Sequence, residues 1–577
     1  MSDPVSLYGT SHKPAPLERL RQGDLTVTLQ DGALRHLAVQ GTEIIRSVAF
    51  LARDRDWGTI VPEIGAITRE QDETLRLAIP MTFRSGDARL DVTVNIILAA
   101  DSLRIKAEGR AIGSFETNRA GFTVLHPIKG VAGAPARVTH ADGSLEDGAF
   151  PALIEPWQPF MDIAALEHRA NGLAVRTAFS GDVFEMEDQR QWGDASYKTY
   201  NRPLALPWPY EIADGETLSQ SVEITWKADE AAVAPAAPSD RQTARFPETA
   251  LVLTAGDALR LAANPKDYDI VGPQRLLCHI DAAAEPAGPQ IAAFAALQAA
   301  LPEPAYDLEL ICRFAGDESP ADELAAHAAV VAASGLVPAS VFVCPSVDRQ
   351  STPPGSKWPP CPPLDEIHAA AAETFPDVAR GGGMTSFFPE LNRKRPPLEH
   401  LDFVTHGLCP IVHAADDISV LETLETIPHI ARSARAIIGD RSYRIGPATI
   451  AMRQNPYGAR TIPNPEGGRV CMADYDPRHF AAFGAAYALG LATALAPFDV
   501  SVWTPSALYG PRGLFCDDGA PSPLAWALEA LAGCAGKVVF SAKIEGGLAQ
   551  LAFEDGHEFA ANLTDRTLDG LSPFRWR

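Results

Sequence analysis

The sequence predicts a multi-domain protein of all-β and α/β parts: an N-terminal β-sandwich, a central (β/α)8 barrel and a small C-terminal β domain. Three observations predict this. Short alternating apolar runs fill residues 1–228, strand and helix patterns alternate through 248–515, and β patterns return in 516–577. At 577 residues the chain also exceeds the roughly 250–300 residues at which a single core stops growing, so several domains are expected.

The first domain, 1–228, is predicted from repeated hairpin signals. The segment LTVTLQDGALRHLAV (25–39) reads as strand, Asp-Gly turn and strand. The segment 88–113 repeats this pattern, with an apolar residue at every second position and an Ala-Asp-Ser turn between two runs. Many short strands at turn spacing are typical of two packed antiparallel sheets.

An Ala/Pro-rich stretch without periodicity follows, and we assign 229–247 as a linker. Strand and helix patterns then alternate over roughly 250 residues, which favours a closed TIM-like barrel. Seven strands are predicted directly; the eighth is either a segment near 250–254 or one half of a divided 402–413 segment. An open doubly wound sheet is the alternative, but the Gly-rich turn expected after its first strand is missing after 275–280. The seven strand segments are 275–281, 306–314, 339–345, 380–388, 398–414, 443–452 and 499–503.

The C-terminal domain, 516–577, is predicted from three short runs, KVVFSAKI, LAQLAFE and HEFAANL. They form a meander that is too small to fold alone. We expect it to pack on the barrel or on the N-terminal sandwich.

Charge and composition exclude several classes of protein. A formal net charge of −24 argues against binding nucleic acid or anionic lipid, since both need clustered Lys and Arg. The N-terminus has no apolar core of a signal peptide, and the apolar segment 480–498 reads as a buried barrel helix. The sequence does not indicate an oligomeric state.

Cysteine and histidine spacing bears on compartment and metals. The eight cysteines form no CxxC pair and several lie in apolar strand-like runs, which predicts reduced thiols and a cytoplasmic protein. The chain has no HExxH, no HxH and no Cys/His cluster at zinc spacing, and we expect no metal and no cofactor.

The strongest candidate for a catalytic site is GGGMTSFFPELNRKRPP (381–397). Glu390, Asn392 and Arg393 emerge at the end of a predicted barrel strand, where TIM-like barrels carry their active sites. A carboxylate beside an amide and a guanidinium suits acid–base catalysis with charge stabilisation. The alternative is a loop ion pair between Glu390 and a nearby arginine.

A second candidate is CPIVHAADDIS (409–419), in which His413 is predicted at the end of an apolar strand. His413 could donate a hydrogen bond to a substrate oxygen or orient the carboxylate. For Asp416 and Asp417 we favour capping of the helix that follows.

The third candidate is the segment 179–210 of the N-terminal domain, which is unusually dense in charged and aromatic residues for a sandwich edge. Two interpretations stay open: a loop that contacts a hydroxyl-rich ligand, or a domain interface held by charge pairs. His126, in LHPI (125–128), shares this uncertainty. The candidate substrate-binding residues of the segment are Glu185, Glu187, Asp188, Arg190, Trp192, Lys198 and Tyr200.

Three separated segments carry a family resemblance. The stretches FEMEDQRQWGDASYKTY (184–200), FPELNRKRPP (388–397) and PIVHAADDISVLETL (410–424) together resemble the D-apionate lactonase family, also called D-apionolactonase. The resemblance covers essentially the whole chain and agrees with the predicted order of domains. It implies a hydrolase that opens D-apionolactone, a small-molecule sugar lactone, during the catabolism of apiose.

The residues themselves also favour a lactonase over a barrel glycosidase. A retaining glycosidase needs two carboxylates about 5 Å apart, and the strands at 443–456 and 499–510 supply no second one. Opening a lactone needs a base for water, donors for the oxyanion and an acid for the leaving oxygen. We assign Glu390 as the base and Asn392, Arg393 or His413 as oxyanion donors.

The acid would be His413 or a carboxylic acid from 185–188. Two alternatives to a lactonase remain: a barrel glycoside hydrolase and a non-catalytic carbohydrate-binding protein. The first would be preferred if a carboxylate of 185–188 lay about 5 Å from Glu390. The second predicts an aromatic-lined cleft in which no carboxylate has a perturbed environment.

Overall fold

A computed structural model describes residues 3–170, 172–229, 244–315, 318–458 and 460–577. The chain divides into two compact units. The β unit comprises Pro14–Pro238 and Pro353–Ser356, and the barrel unit comprises Met1–Lys13, Ser239–Thr352 and Lys357–Arg577. Most of the predicted linker, 229–247, lies outside the described residues.

The described part of the β unit is built from short strands, with a single 3-10 turn at Gln189–Trp192. Its strands are β1 (Glu18–Gln22), β2 (Leu25–Gln30), β3 (Ala33–Val39), β4 (Thr42–Arg53), β5 (Thr59–Ile60), β6 (Glu63–Ile64), β7 (Thr68–Gln71), β8 (Leu75–Ser85), β9 (Ala88–Leu98), β10 (Ser102–Ile112), β11 (Phe115–Thr117), β12 (Arg119–Pro127), β13 (Pro135–His140), β14 (Leu145–Ala149), β15 (Ile163–Ala170), β16 (Leu173–Ser180), β17 (Phe184–Glu187), β18 (Ser196–Asn201), β19 (Tyr210–Ile212) and β20 (Thr217–Ala228).

Among the described strands, sixteen form two antiparallel runs, whereas β11 pairs only with β19, β5 with β4 and β6 with β8. One runs β14–β13–β15–β16–β20–β10–β9–β8–β7, and the other runs β1–β2–β3–β4–β12–β18–β17. A single residue pair, Ile163 with Phe184, joins β15 to β17 and so connects the runs. Apolar residues from both runs share one core, and this confirms the predicted all-β domain.

Two predicted hairpins show how the sequence dictates this domain. Segment 25–39 forms β2 and β3, and segment 88–113 forms β9 and β10, with Leu98 opposite Leu103. Along β10 buried and exposed residues alternate almost without exception, as a strand with one face on a core requires. At the β2–β3 turn Asp31 (φ 47°) and Gly32 (φ 75°) are both left-handed, as expected for a tight Asp-Gly hairpin turn.

Eight parallel strands of the barrel unit close into a barrel, which confirms the predicted (β/α)8 architecture. The eighth strand is the segment near 250–254, and 402–413 holds one strand, so the idea of a divided segment was wrong. The barrel strands are β21 (Glu248–Leu253), β22 (Arg275–Asp281), β23 (Ala305–Cys312), β24 (Ser340–Pro345), β25 (Ala379–Phe387), β26 (Phe403–Leu408), β27 (Ser442–Ala448) and β28 (Val500–Ala507).

Helices connect and cover these strands. They are α1 (Pro4–Tyr8), α2 (Ala255–Ala263), α3 (Ala287–Ala300), α4 (Pro320–Ser334), α5 (Leu364–Thr374), α6 (Phe388–Lys394), α7 (Asp417–Glu422), α8 (Ile427–Ile438), α9 (Ala482–Leu495) and α10 (Pro523–Ala532). Every residue of α9 is buried, as expected for the apolar segment 480–498. Among the described residues, no helix is both long and apolar enough to cross a bilayer.

The glycines at the start of β25 allow it to approach β26 closely. A Cβ on Gly381 would lie 2.2 Å from the Phe403 ring, and one on Gly383 (φ 113°) would lie 2.1 Å from the carbonyl oxygen of Thr405. No larger residue fits at either position without movement of the neighbouring strand. This contact fixes the strand from which Glu390 follows.

The C-terminal runs form the predicted meander of β29 (Val539–Glu545), β30 (Leu548–Phe553) and β31 (Glu558–Asn562). It packs within the barrel unit. The rings of Phe553 and Phe246 lie 5.4 Å apart, and those of Phe574 and Phe483 lie 5.1 Å apart. Of the two expected positions for this segment, the structure shows the one on the barrel.

Candidate active site

The N-terminal end of the barrel interior is filled by an ion cluster. Asp307 on β23 accepts hydrogen bonds from Arg275 on β22 at 2.8 Å and from Ser340 on β24 at 2.5 Å. Arg444 on β27 donates to Ser340 at 2.9 Å and stacks 3.6 Å from the centre of the Phe403 ring. Because these groups are bonded to one another at the end of the barrel that ordinarily serves stability, we assign the cluster a structural role.

Glu390 lies at the opposite, C-terminal end, in the first turn of α6 directly after β25. Its side chain is almost fully buried, at 2% exposure. One oxygen, Oε1, accepts from Ser351 Oγ, from the backbone N–H of Thr352 at 3.1 Å and from Arg393 at 2.9 Å. The other oxygen, Oε2, is buried and accepts no hydrogen bond within the described part of the chain.

This asymmetry shifts the proton affinity of Glu390. Burial raises its pKa above the ordinary value, and the opposing effects of Arg393, Ser351 and Thr352 only partly offset the rise. A buried carboxyl group that has a raised pKa and one oxygen without a hydrogen-bond partner among the described residues is suited to exchange a proton with a bound molecule.

Arg393 places a cation beside this carboxyl group, and Lys394 follows it on α6. Arg393 donates to Ser351 Oγ at 3.1 Å and to the Thr352 carbonyl at 3.0 Å, so it also fixes the loop after β24. Lys394 forms an ion pair with Asp348, whose pKa is raised by burial. The predicted ion pair of Glu390 with a nearby arginine is therefore present, within a wider polar cluster.

A second carboxylate, Glu309 on β23, was not singled out by the sequence analysis. Glu309 stands in register with His279 on β22, and its Oε2 lies 2.7 Å from His279 Nδ1. Arg453, from the loop after β27, reaches across the barrel and donates to both oxygens of Glu309, with 3.0 Å between NH1 and Oε1. The three side chains thus meet inside the barrel.

Charge compensation keeps Glu309 ionised. Burial alone would raise its pKa, but Arg453 and His279 outweigh this effect and lower the pKa to about 2. The sequence does contain a signal for this site. In RLLCHID and YDLELIC, polar residues recur at alternate positions of otherwise apolar strands, as polar groups on the inner wall of a barrel do.

Loop contacts connect the surroundings of the two carboxylates. The backbone N–H of Ser351, which also contacts Glu390, donates to the carbonyl of Pro456 at 2.7 Å. Gln350 donates to the carbonyl of Gly458 at 2.7 Å. The loop after β24, which contacts Glu390, is therefore tied to the loop that carries Arg453.

The remaining barrel candidates lie nearby in the chain. Asn392 is buried on α6. His413 is half-buried in the loop after β26, beyond the strand end at Leu408, so its expected position at the end of the strand was wrong. Asp416 caps α7 through Ser419, as expected, whereas Asp417 instead pairs with Arg469 and Arg478.

In the β unit, β17 and β18 bring four predicted residues together. Glu187 pairs with Lys198 and accepts from Trp192 Nε1 at 2.9 Å. Glu185 accepts from Tyr200 at 2.6 Å through Oε1. Its Oε2 is buried and has no hydrogen-bond partner among the residues that the structure describes. Glu185, Glu187, Lys198 and Tyr200 share one face of these paired strands, since their positions differ by two along each strand.

The other predicted residues of the β unit are arranged differently. Arg190 and Asp188 form a fully buried ion pair, and Arg190 also donates to the carbonyls of Pro151 and Leu153. This pair holds the chain around 151–153 in place.

His126 occupies the opposite face of the sheet. It contacts Thr199 at 2.9 Å and the rings of Phe150 and His168. Burial, with the nearby His168, lowers the His126 pKa well below its ordinary value. The structure therefore separates His126 from the Glu185 group.

One group of metal-ligating side chains occurs in the described chain, and it contains none of the predicted site residues. Cys312, Glu323 and His327 have potential ligand atoms within 4.8 Å of one another. Glu323 already accepts from the backbone N–H groups of Arg313 at 2.6 Å and Phe314 at 2.7 Å. These bonds fasten the loop after β23 to α4.

A closed barrel that carries two buried carboxylates with oppositely shifted pKa values is an arrangement typical of TIM-barrel enzymes. Comparison with known proteins identifies the family. The model of the D-apionate lactonase N-terminal domain matches residues 5–229, and that of the D-apionate lactonase TIM barrel domain matches residues 249–536. The chain belongs to the D-apionate lactonase family.

A curated relative agrees with this assignment. A D-apionate lactonase of Brucella anthropi is 43% identical over 584 residues, covering 98% of this chain and 95% of the relative. The resemblance seen in three short segments is therefore confirmed.

Solved structures show only distant likeness. An α-galactosidase of Geobacillus stearothermophilus, AgaA, is 10% identical, covers 95% of this chain and 91% of its own, and has a TM-score of 0.28. The Slr1438 protein of Synechocystis sp. PCC 6803 is 12% identical, covers 38% of this chain and 100% of its own, and has a TM-score of 0.29. At so low a similarity neither likeness bears on function.

Proposed function

We propose that this protein opens the ring of D-apionolactone with water and releases D-apionate. The family supports hydrolysis of a lactone, because the curated relative is named for that activity. The proposed site is based on Glu390, which follows β25 at the C-terminal end of the barrel. Its carboxyl group is buried, has a raised pKa and has one oxygen without a hydrogen-bond partner in the part of the chain that the structure describes.

In this proposal Glu390 Oε2 accepts a proton from water as the water oxygen attacks the lactone carbonyl. Oε1 stays anchored by Ser351, Thr352 and Arg393, so the carboxylate keeps its orientation while its charge changes. Asn392, Arg393 and His413 stay as proposed donors to the carbonyl oxygen. Each stabilising donor of this kind ordinarily contributes about 10²–10³-fold to turnover.

The β unit enters the proposal through Glu185, Glu187, Trp192, Lys198 and Tyr200. We propose that this group binds hydroxyl groups of the sugar acid. Support comes from the unpartnered oxygen of Glu185, because a buried acceptor without a donor gains from a ligand hydroxyl.

Asp188, Arg190 and His126 stay proposed substrate-binding residues. This part of the proposal has less support, because Asp188 and Arg190 pair with each other and His126 contacts Thr199 on the opposite face of the sheet.

The two competing functions have less support. A glycosidase nucleophile needs an open oxygen, but both oxygens of Glu309 are bound by Arg453. A non-catalytic carbohydrate-binding protein was expected to lack perturbed carboxylates. Glu309 and Glu390 both contradict that expectation.

We propose a cytoplasmic location for the enzyme. All eight cysteines are free, and five of them are buried. Free thiols in this number are typical of proteins from reducing compartments.

Acid release from a panel of aldonolactones that includes D-apionolactone, beside a panel of aryl glycosides, tests the function. Spontaneous opening is subtracted, and Glu390→Gln is compared with Glu399→Gln, an exposed carboxylate just beyond α6. We expect lactone turnover that falls about 10²–10⁴-fold in Glu390→Gln and stays unchanged in Glu399→Gln. Turnover of a glycoside instead, or full activity of a folded Glu390→Gln, would contradict the proposal.

A further inference from the structure

A lactonase needs a proton donor for the ring oxygen that leaves, and a group inside the barrel fits that task. His279, Glu309 and Arg453 come from β22, β23 and the loop after β27. His279 keeps 24% of its side chain exposed, whereas Glu309 keeps 2%. Within this group the imidazole is therefore more open to a bound molecule than the carboxylate.

The hydrogen bonds determine which nitrogen of His279 holds the carboxylate. Nδ1 lies 2.7 Å from Glu309 Oε2, and an ionised carboxylate can only accept, so Nδ1 carries the proton of that bond. Arg453 NH2 also lies 2.7 Å from Nδ1, but it donates to Glu309 Oε2. Nε2 is then the nitrogen that faces away from Glu309 and can exchange a proton.

The charges of the group support such an exchange. Glu309 and Arg453 form a pair of opposite charges beside the imidazole. Glu309 accepts the hydrogen bond of Nδ1 and so fixes the orientation of the ring. This is the arrangement by which a carboxylate orients a histidine that acts as acid or base.

We propose that His279 is the general acid of the reaction, with Nε2 donating a proton to the ring oxygen of the lactone. Glu309 is a positioning residue that holds Nδ1, and Arg453 holds Glu309. The inference rests on the proposed lactonase function and adds to it the residue that releases the leaving oxygen.

In this reaction one water molecule is added and one carbon–oxygen bond of the lactone is broken. A bond forms between the water oxygen and the carbonyl carbon while Glu390 takes a proton from water. The bond between that carbon and the ring oxygen breaks, and the proton of His279 Nε2 passes to the ring oxygen, which becomes a hydroxyl group. Glu390 then returns its proton to His279 through solvent, and the new carboxylic acid ionises.

Two substrates separate acid catalysis from a structural role. D-apionolactone releases an alkoxide that needs a proton, whereas its thiolactone, with sulfur in place of the ring oxygen, releases a thiolate. A thiol has a pKa of about 8.5, so the thiolate leaves near neutral pH without help from an acid.

The variant His279→Asn suits this comparison, because the Asn amide can still donate to Glu309 from the position of Nδ1 while Nε2 is lost. We expect its turnover of the lactone to fall about 10²–10⁴-fold and its turnover of the thiolactone to fall less than tenfold. His279→Gln provides a second variant should the first unfold. His557→Asn, at a surface histidine, is the control and should keep both activities.

Three outcomes would overturn the inference. These are lactone turnover within about threefold of the unmodified protein in a folded His279→Asn, equal losses on both substrates, and full activity of His279→Gln. Failure of the proposed function would be recognised by a different result, because the unmodified protein would then open no lactone. Glu390→Gln separates the two roles further, because loss of the base should slow both substrates.

Discussion

Glu309 and Glu390 are both buried carboxylates of the barrel unit, yet their surroundings drive their pKa values in opposite directions. Arg453 contacts both oxygens of Glu309 and lowers its pKa to about 2. All donors to Glu390 meet at one oxygen, and burial raises its pKa. Burial alone therefore does not set the charge of a carboxylate. What decides it is whether both oxygens are compensated.

The largest expected effect comes from removing the cation of the compensated carboxylate. Arg453→Met leaves the buried Glu309 without its guanidinium and with only the His279 imidazole beside it, so we expect the free energy of unfolding to fall by about 3–5 kcal/mol. Chemical denaturation at pH 7 measures it. The double variant Arg453→Met/Glu309→Gln should recover part of the lost stability. Equal stability of the single and double variants would contradict the claim that Arg453 compensates the charge of Glu309.

A somewhat smaller effect should appear in the acid. The pKa of Glu309 falls from 4.5 to about 2 on folding, so its contribution is present above pH 4.5 and is lost as pH falls toward 2. At about 1.36 kcal/mol for each pKa unit, this contribution is on the order of 3 kcal/mol. Between pH 5 and 2 the free energy of unfolding should depend less steeply on pH in Glu309→Gln than in the unmodified protein. An equal dependence in both proteins would contradict the lowered pKa of Glu309.

Glu390 should behave with the opposite sign. Glu390 has a higher pKa in the folded protein than in the unfolded chain. Its contribution to stability is therefore fully present only below the pKa of the unfolded chain, and it is lost as the pH rises through the pKa of the folded protein. Glu390→Gln, although inactive, should therefore unfold at the same or a higher temperature than the unmodified protein at pH 7. A clear loss of thermal stability would show that the Glu390 charge is well compensated and would remove the contrast with Glu309.

The smallest effect is expected at the other end of the barrel. Glu248 pairs with Arg275 but is half-exposed, with 44% of its side chain accessible. Glu248→Gln should change the free energy of unfolding by less than about 1 kcal/mol and leave lactone turnover unchanged. A marked loss of turnover would mean that the two ends of the barrel are not as separate as we describe.

The fold was largely predictable because its periodicities are local. Alternation in β9 and β10 and the Asp-Gly turn at Asp31 and Gly32 are contained in the segments themselves. Only the first barrel strand was ambiguous, since β21 is short and follows the linker.

The site was predictable in part, for a physical reason. Glu390, Asn392 and Arg393 are close in sequence, so their cluster is visible in one segment. Glu309 and Arg453 are far apart in the chain, and only closure of the barrel brings the guanidinium to the carboxylate. His413 was placed on a strand because its segment is apolar, but β26 ends before Cys409 and Pro410, and a loop follows.

The ion cluster of Asp307 and Arg444 has a consequence for traffic through the enzyme. It occupies the N-terminal end of the barrel interior, so we expect the lactone to enter and the acid to leave at the C-terminal end. The substrate lactone and the product acid must then use the same entrance, and they cannot pass each other there. The product D-apionate should therefore compete with the lactone for entry, and turnover should fall as D-apionate accumulates.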